Sequence, residues 1–222
     1  MVIGGLYRAL TDAETRLGIH AQLILCFLRD RSAEEAMATL LESLSHREWI
    51  IGAGLDSDEQ GNPPAKFAAV FARARQEGYQ LTMHRDVDQQ DSTQHIRQCI
   101  ELIGVERIDH GVNALEDPTL VAAIQERGLG LTVCPISNRY VTGSMQVAAI
   151  RQMLDLGLRV TINSDDPAYF PGYVLENLVA ITDALGLSRV ELIQLQRNAF
   201  EMSWLPRDTR DAYLADLDAY TG

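Results

Sequence analysis

Short apolar runs alternate along the chain with longer amphipathic stretches, and this alternation predicts β-strands separated by α-helices. Each run is almost continuously apolar, which is typical of a parallel strand that is buried on both faces. The predicted strands are Leu23–Leu28, Trp49–Leu55, Tyr79–His84, Glu106–His110, Leu129–Cys134 and Leu158–Asn163.

The stretches between the runs carry helix signals. Ser32 and Glu35 have the spacing of a capping box, and Pro64 and Gly78 have the positions that open and close a helix. Apolar side chains then recur at i, i+3, i+4 and i+7, so that each helix presents one apolar face to a sheet. The two clearest sets are Phe67, Val70, Phe71 and Ala74, and Ile96, Cys99, Ile100 and Ile103.

This order predicts one α/β domain over residues 1–222, because no linker or low-complexity tract interrupts the series. The six βα units are two short of the eight that close a TIM-type (β/α)8 barrel. A doubly wound sheet is the competing architecture. Such a sheet usually has a glycine-rich, phosphate-binding turn after an early strand, and this sequence contains none. We therefore expect a truncated barrel with its site at the carboxyl ends of the strands.

Composition narrows the classes of partner. The formal net charge of −12 argues against nucleic acid and anionic membranes, and favours a small molecule. The three cysteines, Cys26, Cys99 and Cys134, are widely spaced in apolar segments, so we expect reduced, buried thiols. With no leader-like opening and no apolar run near about 20 residues, a cytoplasmic protein is expected.

Polar side chains gather where the predicted strands end. His84 and His110 close two strands, and Cys134 to Asn138 and Asn163 to Pro167 follow the next two. In a barrel these positions converge on one mouth. Histidine nitrogens and a carboxylate can hold a zinc-type ion, which lowers the pKa of a bound water to about 7 and supplies a hydrolase with its nucleophile.

These residues resemble the adenosine and adenine deaminases of the metal-dependent amidohydrolase superfamily. The resemblance covers the chain from about the first strand to the carboxyl terminus. Asn62–Phe67 looks more like the adenine deaminase branch. The motifs, in order, are Gly54–Ser57, His84, Arg107–Gly111, Cys134–Asn138 and Ser164–Pro167.

The resemblance implies a mononuclear zinc enzyme that replaces the amino group of adenine, adenosine or an N6-substituted adenine and releases ammonia. By position, His84 would be a zinc ligand and Asp165 a second ligand that also takes the water proton. His110 would orient and stabilise the attacking hydroxide. Asp166 would hydrogen-bond a ring nitrogen of the purine, although Asp166 before Pro167 is also ordinary turn chemistry.

Two departures from the family pattern bear on catalysis. The family has a His-x-His pair on its opening strand that provides two zinc ligands, and this sequence contains no His-x-His. The family also has a proton-donating glutamate where this chain has Val87. Asp86 lies two residues after His84, on the same side of an extended backbone, so it is the candidate substitute, with Asp88 behind it.

Relative to the family, Met1 falls in the helix before the third barrel strand, so two βα units and the His-x-His are absent together. An open arc of six strands would expose two edges, so we expect self-association or a separate segment to complete the barrel. The alternative is a catalytically incompetent remnant or a partner-dependent subunit. A dinuclear amidohydrolase is disfavoured, because Lys66 lies in a predicted helix rather than at a strand end.

Overall fold

Within the described residues, 2–85 and 89–222, six parallel strands form one sheet in which every strand lies beside its neighbours in the sequence. The computed structural model therefore has the topology of a barrel arc, since a doubly wound sheet would reverse its strand order. The strands are β1 Leu23–Leu28, β2 Ile50–Asp56, β3 Gln80–Arg85, β4 Arg107–His110, β5 Gly130–Val133 and β6 Arg159–Ile162.

Helices follow the strands in alternation and cover the outer side of the sheet. The capping box predicted at Ser32 and Glu35 is confirmed at the start of α2. Short 3-10 turns at Leu44–Trp49, Pro64–Phe67 and Val112–Glu116 lead into or out of regular elements. The α-helices are α1 Val2–Leu17, α2 Ala33–Ser43, α3 Ala68–Gln76, α4 Ser92–Arg97, α5 Pro118–Arg127, α6 Pro135–Thr142, α7 Val147–Asp155, α8 Val174–Leu185, α9 Arg189–Glu201 and α10 Arg207–Thr221.

The two faces of the sheet differ in chemistry. Leu81 and Met83 of β3 are fully buried in the core between sheet and helices, which extends along the chain from Phe27 to Leu195. Successive side chains of a strand point to opposite faces, so Thr82 lies on the concave side of the sheet. The same alternation places a polar row inside the arc, ending at the carboxyl rim.

The first strand is less buried than the sequence predicts. Leu23 and Leu25 are half-buried, and Leu28 is 52% exposed. Cys26, which was expected to be buried, is also exposed. The reason is that β1 is an edge strand with a neighbour on one side only, whereas the apolar run predicted cover on both faces.

The amino-terminal end of the arc is filled by the segment between α9 and α10. Trp204 packs against Gly52 at the start of β2, and the guanidinium of Arg107 lies 4.2 Å from the centre of its indole ring. Met202 occupies the space beside Gly130 where a Cβ atom would otherwise stand. These glycines let the plug approach the strands, which leaves the carboxyl rim as the open end.

Gly52→Ala tests this plug. The added Cβ would lie 2.5 Å from Cζ3 of Trp204 and 2.8 Å from the backbone oxygen of Gln80. Because the backbone oxygen cannot move aside, we expect urea unfolding to show a loss of about 1–3 kcal/mol. Gly5→Ala in α1 is the control, since its Cβ meets nothing within 4 Å. That change should stabilise the helix by about 1 kcal/mol, and equal losses would contradict the close packing at Gly52.

Among the described residues, no helix is both long enough and apolar enough to cross a membrane.

Candidate functional site

The predicted site residues come together at the carboxyl rim. His84 is the penultimate residue of β3, His110 ends β4, and Cys134 and Asp165 follow β5 and β6. All four line one open cavity of about 420 Å³, together with carboxylates that include Asp56. Residues separated by more than 80 positions in the sequence therefore share one mouth, as the strand-end pattern predicts.

Two imidazoles and one carboxylate form the centre of this mouth. The rings of His84 and His110 meet edge to face, with centroids 4.8 Å apart. Nε2 of His110 lies 3.6 Å from Oδ2 of Asp165, and Ser137 donates a hydrogen bond of 2.6 Å to the same oxygen. Asp165 is thus oriented by α6 as well as by its own loop.

The backbone is strained at two of these positions. His110 has φ of 60° and Asp165 has φ of 57°, a left-handed conformation that non-glycine residues rarely adopt. Gly111 is also left-handed, at φ 69°, and it allows the turn after His110. A residue with a Cβ atom at this position would collide with the side chain of Leu131. Backbone strain of this kind is concentrated at functional sites, where the surrounding structure maintains it. The side chains of both His110 and Asp165 line the mouth.

The donor set suits a zinc ion. Ligand atoms of His110, Cys134 and Asp165 all lie within 4.8 Å of one another. Imidazole nitrogen, thiolate sulfur and carboxylate oxygen are the donors that zinc accepts, usually four in a tetrahedron. The predicted ligand Asp165 belongs to this cluster and the predicted ligand His84 lies beside it. The assignment of His84 as a ligand and of His110 as the catalytic residue stays a prediction.

A second carboxylate supports the floor of the mouth. Asp109 accepts hydrogen bonds from Thr82 on one side, at 2.7 Å, and from Thr132 on the other, at 2.8 Å. Because these threonines belong to β3 and β5, Asp109 links three strands across the inside of the sheet. Neighbouring strands are thereby held in register beneath His84 and His110.

Behind His84 lies an acidic residue to which sequence reasoning assigned no role. Glu59, in the loop after β2, is 3% exposed, and its Oε1 is 2.8 Å from Nδ1 of His84. Arg85 and Arg29, both fully buried, flank its other oxygen. Burial alone would raise the pKa of Glu59, but the hydrogen bond from His84 and the two guanidinium charges outweigh it and hold that pKa below its ordinary value.

The two arginines tie this cluster to neighbouring parts of the fold. Arg29 donates to the backbone oxygens of Leu55, at 2.9 Å, and His84, at 2.7 Å. Arg85 reaches Ser92 at the start of α4, at 3.3 Å. The sequence contains a charged residue after each of three successive predicted strands, namely Arg29, Glu59 and Arg85. This pattern could have indicated a charge cluster, but it does not show which of the charged side chains are in contact.

The remaining predicted residues lie at the edge of the site or outside the described part. Asp166 is exposed, and its backbone oxygen accepts the amides of Tyr169 and Phe170, each at 2.9 Å. Its turn role is therefore present, and its purine contact stays a prediction. Asp86, Val87 and Asp88, on which the proton-donor prediction falls, lie outside the described residues.

Comparison with known proteins decides the family. The sequence matches the adenosine deaminase family over residues 1–220. This chain belongs to the adenosine deaminase family. It is 48% identical over 221 residues to an adenine deaminase of Sphingopyxis alaskensis, covering 99% of this chain and 64% of the relative. The chain spans a little under two thirds of the length of this relative and of other curated relatives that it matches.

Two solved structures have the same fold as this chain. An adenine deaminase of Arthrobacter aurescens superposes with a TM-score of 0.93 at 33% identity, over 99% of this chain and 67% of that one. An amidohydrolase of Burkholderia ambifaria with bound zinc gives 0.89 at 27% identity, over 98% and 61%. The predicted fold, a barrel truncated to six βα units, is confirmed.

Arg85→Met tests the buried charge cluster. Removing Arg85 takes away a guanidinium that contacts Glu59 in the interior, and we expect a loss of about 3–5 kcal/mol in the free energy of unfolding. Arg73→Met is the matched control, because Arg73 pairs with Glu77 at the surface and should contribute about 0–1 kcal/mol. Similar losses in the two variants, measured by urea titration, would show that the cluster is not a structural centre.

Proposed function

We propose that this chain carries the carboxyl-terminal six βα units of a zinc-dependent adenine aminohydrolase, which hydrolyses the exocyclic amine of adenine and releases ammonia. The observation that carries the proposal is the convergence of His84, His110 and Asp165 on one mouth, in a chain of the adenosine deaminase family. Because the chain is shorter than its relatives, the activity is proposed for the completed barrel.

His84 and Asp165 would hold the zinc ion, with further ligands from the missing His-x-His. The bound zinc of the Burkholderia ambifaria amidohydrolase supports a metal in this fold. Zinc, when bound, lowers the pKa of a coordinated water to about 7. Cys134 lies within reach of His110 and Asp165 and is the alternative ligand, since thiolate sulfur is a common zinc donor.

The protein side chains would handle the protons. Ser137 and His110 both approach Oδ2 of Asp165, which leaves Oδ1 to receive a proton or face the metal. His110 would hold the nucleophilic water through its imidazole, and Asp166 would bind a ring nitrogen of the purine. Asp86, with Asp88 as the second choice, would donate the ring proton in place of the family glutamate that Val87 replaces.

Adenine is the favoured substrate among the purines. The curated relatives at 43–48% identity include several named adenine deaminase. Enzymes whose names specify N6-methyl-AMP are only about 18% identical and support the fold alone. Adenosine and N6-substituted adenines are the second choices. Cys26 and Cys99 are free thiols, which supports the expected cytoplasmic location.

A chimera tests the activity. The segment of the Sphingopyxis alaskensis relative that precedes its match would be fused ahead of residue 2, and loss of adenine absorbance and release of ammonia would be followed with zinc present. His84→Ala and Asp165→Ala should each lower kcat/KM by more than about 100-fold, because each removes a metal ligand. His20→Ala is the control, since His20 pairs with Glu14 away from the mouth.

Adenine, adenosine, N6-methyladenine and isopentenyladenine would be compared in the same assay. A chimera that folds and binds zinc but leaves all four purines unchanged would refute the aminohydrolase and favour the incompetent remnant.

We also propose that two further βα units complete the barrel by covering β1 and β6. Leu28 at the β1 edge is 52% exposed, and an apolar face of α8 is uncovered where Leu175 is 67% and Val179 52% exposed. Parallel strands with open edges and apolar helix faces need a partner. In an eight-stranded barrel the missing units would lie between the two edges.

Hydrogen exchange tests this completion. Adding the same Sphingopyxis alaskensis segment in trans should slow amide exchange in β1 and β6 at least about tenfold, which corresponds to about 1.4 kcal/mol. Amides of α5, on a central unit, are the internal control and should change little. Protection of both edges in the chain alone, rising with protein concentration, would instead indicate self-association.

A further inference from the structure

Glu59 is placed to control His84 rather than to react with substrate. Its Oε1 lies 2.8 Å from Nδ1 of His84, and Glu59 does not line the pocket that His84 lines. The carboxylate is 3% exposed, so water does not compete for the contact. The interaction is therefore a fixed, buried hydrogen bond to one chosen nitrogen of the ring.

The carboxylate is itself held from behind. Arg85 contacts Oε2, and Nη1 of Arg29 lies 3.6 Å from the same oxygen. Arg29 also donates to the backbone oxygen of His84, so one guanidinium fixes both partners of the bond. Lys66 donates in turn to the backbone oxygen of Arg29, at 2.9 Å. The position of Glu59 relative to His84 is thus set by two loops, one 3-10 turn and one strand.

We propose that Glu59 is a positioning residue that fixes His84 as the Nδ1–H tautomer and so directs the Nε2 lone pair into the mouth. A carboxylate accepts and does not donate, so the nitrogen facing it must carry the proton. Histidines that bind metals usually donate their other N–H to a carboxylate or carbonyl, which sets ring orientation and raises ligand basicity. The ligand role of His84 rests on the proposed function, whereas its tautomer does not.

A purely structural role is the competing explanation. In that case Glu59 would only neutralise Arg29 and Arg85, and the bond to His84 would be incidental. The two explanations predict different consequences for the ring. A neutralising carboxylate affects stability alone, whereas a positioning one also determines which ring nitrogen is protonated and how tightly the mouth binds zinc.

The tautomer can be measured directly on the unsubstituted chain. The 15N-labelled protein without metal would be studied by two-bond 1H–15N correlation, at a pH about two units above the ordinary imidazole pKa. The chain has five histidines, and His84→Gln would assign the signal of interest by its disappearance. The proposal predicts the Nδ1–H tautomer for His84. The Nε2–H tautomer in the unsubstituted chain would overturn it, whatever any variant does.

Two substitutions at Glu59 test the positioning role. Glu59→Gln removes the charge and replaces one of the two acceptor oxygens by an N–H2 donor, and Glu59→Leu removes both acceptors and the charge. Because the guanidinium groups of Arg85 and Arg29 can only donate, they take the remaining oxygen and leave the amide N–H facing Nδ1 of His84, so we expect Glu59→Gln to lose the Nδ1–H tautomer. Glu59→Leu should lose the tautomer and lower the zinc affinity of the folded chain by about 10- to 100-fold. Glu77→Leu, which breaks a surface pair with Arg73, is the control and should alter neither readout.

If both variants lose stability while tautomer and zinc affinity stay unchanged, the positioning role is overturned and the structural one stands. If Glu59→Leu does not fold, the unsubstituted chain and Glu59→Gln still decide the matter through the tautomer. A chain with the Nδ1–H tautomer whose completed barrel deaminates no purine would overturn the proposed function and leave the positioning role supported.

Discussion

Parallel pairing in chain order is the constraint on which the site depends. Each strand lies beside its sequence neighbour, so every carboxyl end reaches the same rim, and the loops that follow the strands lie around one mouth. His110 and Asp165 meet there although more than 50 residues separate them, and Ser137 of a third βα unit joins them. The chemistry follows from topology before any side-chain contact is considered.

This arrangement carries a stability cost that the protein offsets locally. Groups such as Glu59, Arg29 and Arg85 lose water on burial, and charges that remain unpaired in the interior destabilise the fold. Here they lie against one another and against backbone oxygens. On the concave side, Asp109 is satisfied by threonines of the two adjacent strands. Charge pairing and shared hydrogen bonds therefore offset much of the cost, although Nε of Arg29 and Nε of Arg85 are buried without a hydrogen-bond partner among the described residues.

The sequence predicts the elements well because their signal is local. The apolar run at Leu23–Leu28 coincides with β1, and the capping box of α2 is present. It does not predict the cluster at Glu59, because that contact depends on how a loop folds back toward β3 and on two arginines from other units. The exposure of Leu28 was also missed, since an apolar run does not reveal whether a strand lies at an edge.

The zinc ligands and the residues that support His84 come from different parts of the barrel. A zinc site needs ligands from several strands, and those expected from the opening strand are absent from this chain. The support behind His84 is different, because Arg29, Glu59 and Arg85 all come from the first three strands of the arc and their loops. On our proposal, the orientation of His84 is thus set within this chain, and completion of the barrel would bring zinc ligands to an imidazole that is already aligned.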